Sequence, residues 1–438
     1  MLRIYKRIRR TLTHSILALA ATSPVVLAQG LGNAPYSSLG IGELYSQGNV
    51  TNMGMGNVGI SNASLFHLNL QNPALLARRS FLTVFEVGLQ GQNKSISQNY
   101  NGSTQNQRSF GANLGYLALA FPINSRWNMS LSLKPYTYVD YTSQQYRVIP
   151  GTNYQAEYNY TGRGGLNKVT FANGFRLTKN IFVGGEASFI FGNITNTSTS
   201  RVLVSNASTS LGNTVVNRLD RVNYSDIAWK LGAAWRPKLS ENWTLNLGAT
   251  YDPQTRINGR ESNIYQQSAS TGEAISAADT LRLNSSGRAT LPQQMHFGLS
   301  VEKNNTLLVG VDVGLQKWSE YRTVNNLSGN LLDAMTVSAG MEYTPKVSST
   351  RYWDVVTYRL GFQYNQLPYQ LGGVQLNDIN GSAGISLPVG AYRVNYITLS
   401  VVGGQRGALI GTQIREQYVR MALGFSLNDR WFRKQVVD

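Results

Sequence analysis

The chain has 438 residues, no cysteine, 14% charged residues and a formal charge of +17. The lack of cysteine excludes disulfides, thiolate zinc sites and cysteine nucleophiles. The positive excess does not mark a nucleic-acid binder: after Arg10 no run of Lys or Arg exceeds a dipeptide, so no basic stripe exists for phosphates to follow.

The first element is an export signal. Arg3, Lys6, Arg7, Arg9 and Arg10 form a positive start and hold five of the excess charges. An apolar run from Ile16 to Ala28 follows, broken at Thr22, Ser23 and Pro24, and Val26-Leu27-Ala28 puts small residues at −3 and −1 of a cleavage point before Gln29. Residues 1–28 read as a signal peptide, too short to span as a helix. No cysteine follows the cleavage point, which excludes lipidation there. After the signal no apolar run of about 20 residues occurs, so no transmembrane helix is expected. An exported, Tyr-, Asn- and Gly-rich chain of low charge has one membrane solution left, a closed β-barrel.

Residues 29–80 lack strand-like alternation. They contain Leu39-Gly40-Ile41-Gly42-Glu43, Met53-Gly54-Met55-Gly56-Asn57 and Gln71-Asn72-Pro73-Ala74-Leu75-Leu76-Ala77. Glycines at this spacing permit close-packed backbone. The segment is expected to enter the barrel from the periplasmic side as a plug, or hatch.

From residue 81 to 427 the pattern alternates. Trp243, Leu245, Leu247, Ala249 and Tyr251 face one way; Thr244, Asn246, Gly248 and Thr250 face the other. Leu307–Leu315 and Val419–Leu427 repeat the pattern. A period of two with one apolar face suits a lipid-facing strand. Strands are expected near 81–91, 109–122, 127–146, 165–178, 181–195, 221–236, 242–258, 291–303, 306–321, 332–345, 352–366, 379–388, 391–403 and 413–427. That makes about fourteen in an antiparallel up-and-down transmembrane barrel, with a weak segment at 154–162 open to separate counting. Short turns alternate with long loops near 92–108, 147–164, 196–220, 259–290, 322–331, 367–378 and 404–412, as in outer-membrane barrels. Trp127, Trp235, Trp243, Trp353 and Trp431 lie beside the short turns, where an interfacial girdle belongs. Residues 428–438 form a periplasmic tail.

By parity the lumen face carries Glu86, Lys134, Lys168, Arg176, Glu186, Asp226, Lys230, Asp312, Glu342, Arg359 and Arg420, with His296 and Glu302. Both signs occur, so mutual pairing is expected. These charges suit a fixed structural network or a charged solute path, and the residues leave both open. Fourteen strands enclose more space than wall side chains fill, which gives the plug its place.

At these residues the chain resembles the FadL/TodX (OMPP1) family of outer-membrane transporters of long-chain fatty acids and other hydrophobic compounds. The resemblance rests on Gly54-Met55-Gly56-Asn57-Val58-Gly59, on Asn72-Pro73-Ala74 where the family's hatch ends, and on the strand number. The Gly-Met-Gly form and the Asn-Asp-Arg-Trp-Phe ending resemble members from Bacteroidetes. It implies a hatch (Gly54, Gly56, Asn72, Pro73, Ala74) and release sideways into the bilayer at a kinked third strand, here at Pro135. It also implies a hydrophobic small-molecule substrate, outer-membrane lipid and lipopolysaccharide as surroundings, and the barrel-assembly machinery as a partner during insertion. No cofactor or metal, no nucleic acid and a monomer are expected. The eleven-residue tail and the charged lumen depart from the family pattern. A PorV-type shuttle of the type IX secretion system, a structural barrel and a general porin are the alternatives. An enzyme is not expected: the mature chain has two histidines, His67 and His296, neither placed for a Ser–His pair.

Overall fold

In a computed structural model the chain is described over residues 31–62, 64–78, 82–100, 103–203, 214–269, 273–304, 306–390, 393–409 and 414–429. The signal at 1–28, Trp431 and the tail beyond 429 lie outside the described residues.

Fourteen antiparallel strands close into a barrel. They are β1 (Thr83–Tyr100), β2 (Ser103–Asn124), β3 (Trp127–Val148), β4 (Gln155–Arg176), β5 (Ile181–Leu203) and β6 (Thr214–Trp235). Next come β7 (Trp243–Asp252 and Thr255–Ala269) and β8 (Asp279–Leu291 and Gln294–Lys303), each interrupted once. Then β9 (Leu307–Gln316), β10 (Ala334–Tyr343), β11 (Thr357–Leu371), β12 (Val374–Val389), β13 (Asn395–Arg406) and β14 (Ile414–Asp429) complete the wall. β14 pairs with β1 from Asp429↔Thr83 to Ile414↔Gln98, which removes the free sheet edges.

Outward positions form an apolar belt: Phe171 and Phe189, Phe297 and Leu299, Val309 and Val311, Leu360 and Phe362, Leu399, Met421 and Leu427 are all exposed. The alternation that defined the strands therefore faces lipid. At the short-turn end Trp127 stacks on Phe175 with centroids 5.7 Å apart and donates Nε1–H to Asn173 at 3.0 Å. Lys303 Nζ lies 5.6 Å from the ring centre of Trp243. Both contacts suit an interfacial girdle.

The strands run longer than expected. Residues 92–108, expected as an outer loop, are largely strand: β1 and β2 stay paired up to Tyr100↔Ser103. Likewise 155–162 belongs to β4, paired with β3. Ser103–Arg108 are all exposed. A ribbon in water needs no apolar face, so its pairing leaves no hydrophobic period in the sequence.

The described residues between 31 and 78 pack against inward-facing residues of the wall. They carry a 3₁₀ turn (Pro35–Ser38), a two-residue strand (Glu43–Leu44), a helical turn (Val50–Met53) and a second 3₁₀ turn (Pro73–Arg78). Asn49 and Asn52 cap the helical turn reciprocally. Val50, Met53, Leu68, Leu70 and Leu76 pack against wall residues that include Tyr116, Ala118, Ala172 and Val402. From the opposite end, the β9–β10 connection turns inward. Its Trp318, Tyr321, Val324 and Leu331 are buried with Ile41, Ile257, Leu291 and Leu376.

Candidate functional site

Two of the motifs, Met53–Asn57 and Asn72-Pro73-Ala74, meet glycines of the wall. Gly56 has φ +63°, and a Cβ there would stand 2.6 Å from Phe362 O and 2.7 Å from Ala339 O. A Cβ on Gly361 would reach Gly56 N at 1.9 Å, and one on Gly54 would reach Gly384 Cα at 2.9 Å. Backbone thus lies on backbone. The same holds at Asn72-Pro73-Ala74: Cβ atoms on Gly232, Gly184 and Gly174 would meet Asn72 Oδ1 at 2.3 Å, Ala74 N at 2.5 Å and Pro73 O at 2.6 Å. Asn72 also donates to Ile60 O at 2.9 Å and Ala233 O at 3.2 Å, and accepts from Ala74 N at 3.1 Å. These five expected plug residues are therefore wall contacts, held by hydrogen bonds and close approach.

Charged wall residues hold the segment as well. Asp312 Oδ2 accepts the backbone N–H of Gly59 at 2.6 Å and of Ile60 at 2.9 Å. Glu86 accepts from Leu68 N at 2.9 Å and from the Ser426 hydroxyl at 3.1 Å. Lys134 Nζ donates to Gln47 O at 3.2 Å. Removing the Asp312 carboxylate should leave two buried N–H groups unpaired at about 1–3 kcal/mol each. Asp312→Ala is expected to lower the urea midpoint of the folded barrel in vesicles, measured by tryptophan fluorescence.

The strongest tie was not visible in the strand parity. Glu43 pairs with Arg406 at 2.6 Å and lies 4.0 Å from Lys94. Arg406 also meets Asp378 at 3.1 Å and Glu416 at 3.4 Å; Lys94 meets Glu416 at 3.3 Å. Tyr418 donates to Asp378 at 2.8 Å. All five ionic side chains are at most 7% exposed. Asp378 and Arg406 fall in stretches expected as outer loops, and Lys94 sits beyond the expected end of the first strand, where the apolar alternation does not reach. Extending β1, β12 and β13 by their true lengths brings all three to the lumen.

The other expected charges divide. Lys168–Glu186 (3.7 Å), Lys230–Asp252 (3.6 Å) and Arg359–Glu342 (2.7 Å) pair inside. Glu302 pairs with Arg236 at 2.8 Å and Arg78 at 3.7 Å. Arg420 donates to Gln92 at 2.8 Å. Arg176 is corrected: it has reached the end of β4, and its guanidinium donates to Ser125 O at 2.7 Å on the β2–β3 turn. Asp226 lies at an edge of β6, where Asn258 N on β7 donates to it at 3.0 Å.

A cavity of about 250 Å³ remains above the plug. Its wall is mixed: Leu44, Tyr136, Ile190 and Leu291 beside Lys168, Lys230, His296 and Asp312.

Two seams interrupt the wall. The β2–β3 ladder runs from Asn124↔Trp127 to Leu117↔Leu133 and stops there, while each strand continues. Pro135 lies just above, where a bulge at Tyr136 shifts the β3–β4 register. The N-terminal segment lies in this seam: Glu43 and Leu44 pair with Tyr138 and Thr137, and Tyr45 N donates to Tyr136 O at 3.0 Å. Asn33 spans it, donating from its N to Ser109 Oγ (2.8 Å) on β2 and accepting from Thr142 N (3.2 Å) on β3. The second seam is between β6 and β7. Pairing there covers Leu231↔Tyr251 to Trp235↔Leu247, then resumes only at Tyr224↔Gly259.

A family model described as BamG matches residues 8–438, nearly the whole chain. The chain belongs to the BamG family. A search of curated proteins returns no match. Among solved structures, the BamG-family chain is similar to the TodX toluene transporter of P. putida, with 16% identity, 90% of this chain and 100% of that one covered, and a TM-score of 0.56. It is also similar to the CymD monoaromatic hydrocarbon channel (14% identity, 89% and 99% covered, TM-score 0.55). A FadL homologue from Pseudomonas aeruginosa gives 14% identity, 89% and 99% coverage and a TM-score of 0.54. At such identities these three establish the fold that the BamG-family chain shares with hydrophobic-compound channels.

Proposed function

We propose that this chain is a plugged outer-membrane barrel of a Gram-negative cell that works as a partner subunit of the barrel-assembly machinery. The observation that carries the reading is the near full-length match to BamG, a family name with the Bam prefix of that machinery. The interior supports it. A conduit for apolar compounds works best with an apolar wall and a plug that yields at small cost. Here the plug is fastened by Glu43 to Arg406 and by the Gly59 and Ile60 N–H groups to Asp312 of the wall, and pulling it out would strand those buried charges. In this reading the signal at 1–28 exports the chain, and residues 31–78 act as a permanent hatch. The test is cross-linking in native outer membranes followed by purification of the full-length tagged chain. Recovery of the machinery's own barrel subunit is expected. Recovery of the chain without any assembly component would overturn the reading.

A second reading is passage of a hydrophobic compound, fatty-acid-like in the simplest case, with lateral release at the β2–β3 seam. The interrupted ladder above Leu117↔Leu133 favours it. The seam can be locked. A Cβ at Gly32, which sits at φ +83°, would lie 3.3 Å from Ser109 Cβ, slightly inside the usual disulfide spacing of about 3.5–4.5 Å, so the bridge forms with local strain; the chain has no competing cysteine. Gly32→Cys with Ser109→Cys is expected to abolish uptake of a long-chain fatty acid until reductant is added. Equal uptake in the oxidised and reduced states rules the seam out as the route.

A further inference from the structure

The seam between β6 and β7 lies away from the seam that the N-terminal segment fills. Six residues of β6, Ser225 to Lys230, make no ladder with the facing stretch of β7. Proline accounts for the break. Pro253 interrupts β7 and Pro292 interrupts β8 at the same level, since Asp252 pairs with Gln294 and Thr255 with Leu291. Neither proline has an N–H to donate, and the β6–β7 ladder is broken at the level of Pro253. Side chains bridge the gap at its two ends: Asp226 accepts from Asn258 N at 3.0 Å, and Lys230 pairs with Asp252 at 3.6 Å.

The lumenal cavity reaches this gap. Its lining includes Ala228, Trp229 and Lys230 from one edge and Asp252, Pro253 and Thr255 from the other. Trp229 belongs to the outer face and is 58% exposed, between the exposed Ile227 and Leu231. It stands six residues above Trp235 of the girdle, which for a tilted strand is roughly 15 Å, about mid-height in the apolar belt. A tryptophan there is far from the interface that tryptophans favour. The same cavity is amphipathic. Tyr136, Ile190 and Leu291 give it an apolar side. On the polar side the Lys168 and Lys230 pairs are longer than charge-assisted hydrogen bonds of about 2.7–2.9 Å, which leaves ammonium donors for another anion. His296 Nδ1 and Asp312 Oδ1 are buried with no hydrogen-bond partner among the described residues.

We propose that the β6–β7 gap is a side port joining the cavity to the bilayer core, and that it admits a single-chain amphiphile whose head group carries both an anion and hydroxyl donors. The head group lies among Lys168, Lys230, His296 and Asp312. The acyl chain runs past Tyr136 and Leu291 and out beneath Trp229. This stands apart from any role in barrel assembly, and either can fail without the other.

The probe is lysophosphatidylglycerol with a diazirine in its acyl chain, added to the full-length protein in vesicles and photolysed. Adducts are expected on the peptides holding residues 225–230 and 252–258. An uncharged alkyl maltoside with the same diazirine should label them about tenfold less, the loss of one good polar contact. Ala228→Trp, which fills the gap, should reduce labelling by a similar factor. Trp229→Ala, which widens it, should raise labelling, and this keeps the test sound if the larger side chain impairs folding. The locked Gly32→Cys/Ser109→Cys chain should label as the parent does. Adducts confined to residues 31–45, β2 and β3, or loss of labelling in the locked chain, would overturn the port. Equal labelling by the maltoside would overturn the head-group assignment.

Discussion

Arg406→Met is expected to release the N-terminal segment from the wall. Arg406 holds Glu43 of that segment together with Asp378 and Glu416 of β12 and β14. Methionine fills similar space but leaves three buried carboxylates facing one cation, Lys94. Breaking a buried ionic group by removing one partner costs about 3–5 kcal/mol, more than the intact group contributes over an apolar substitute. Equilibrium urea unfolding from vesicles should show that loss. Planar-bilayer recording should show flickering currents in the variant against a quiet parent. The double variant Arg406→Met/Glu43→Gln should recover part of the stability without closing the barrel, since the repulsion falls but the tie is not restored. If the single variant unfolds as the parent does and stays silent, the cluster does not fasten the plug.

The second large effect is steric. Gly361→Val puts a side chain where Gly56 N and the Met55 carbonyl carbon already stand, 1.9 and 2.2 Å from an ideal Cβ. Both neighbours are backbone, so nothing flexible can give. Overpacking of this kind costs about 1–3 kcal/mol or more. Here it acts at the one glycine contact where two main chains touch most closely. The expected result is loss of the Gly56 N–H bond to Ser382 Oγ, now 2.8 Å, faster proteolysis between residues 50 and 60, and a lower urea midpoint. Gly185→Ala is the control: its Cβ meets nothing within 4 Å, and a change within about 0.5 kcal/mol is expected. Equal behaviour of the two variants would mean that the close approach at Gly361 carries no stability.

Much of the barrel was legible in the chain because lipid on one side and a filled lumen on the other impose a period of two. Val309 and Val311 faced lipid as their alternation required, and Asp312 faced the plug. The outer halves of β1, β2, β4 and β5 were not legible. Ser, Asn, Gln and Thr dominate those ribbons, exposed throughout at 103–108 of β2, and they are equally at home in strand or loop. Lys94, Asp378 and Arg406 likewise lie where strands continue past the end of the apolar pattern, whereas Glu416 lies inside the expected last strand. Arg176 failed for the opposite reason: its parity was right, but the strand had already reached its turn.

The plug shows where local sequence stops. The run Gln71–Ala77 announces a break in strand pattern, and the glycines at 54 and 56 announce close approach. Neither names the surface approached. The opposing glycines at 174, 184, 232, 361 and 384 come from five different strands, and only closure of the sheet brings them to the motifs. The two seams are likewise tertiary. Pro135, Pro253 and Pro292 each remove one donor, a local fact written in the chain. Whether a missing donor becomes a bulge or a gap depends on which neighbour the strand keeps. β3 keeps β4 and parts from β2; β7 keeps β8 and parts from β6. Alternation was set by short-range chemistry that each strand carries alone. The ion cluster and the glycine contacts were set by residues about 100 to 360 positions apart, and the seams by which neighbour each strand keeps.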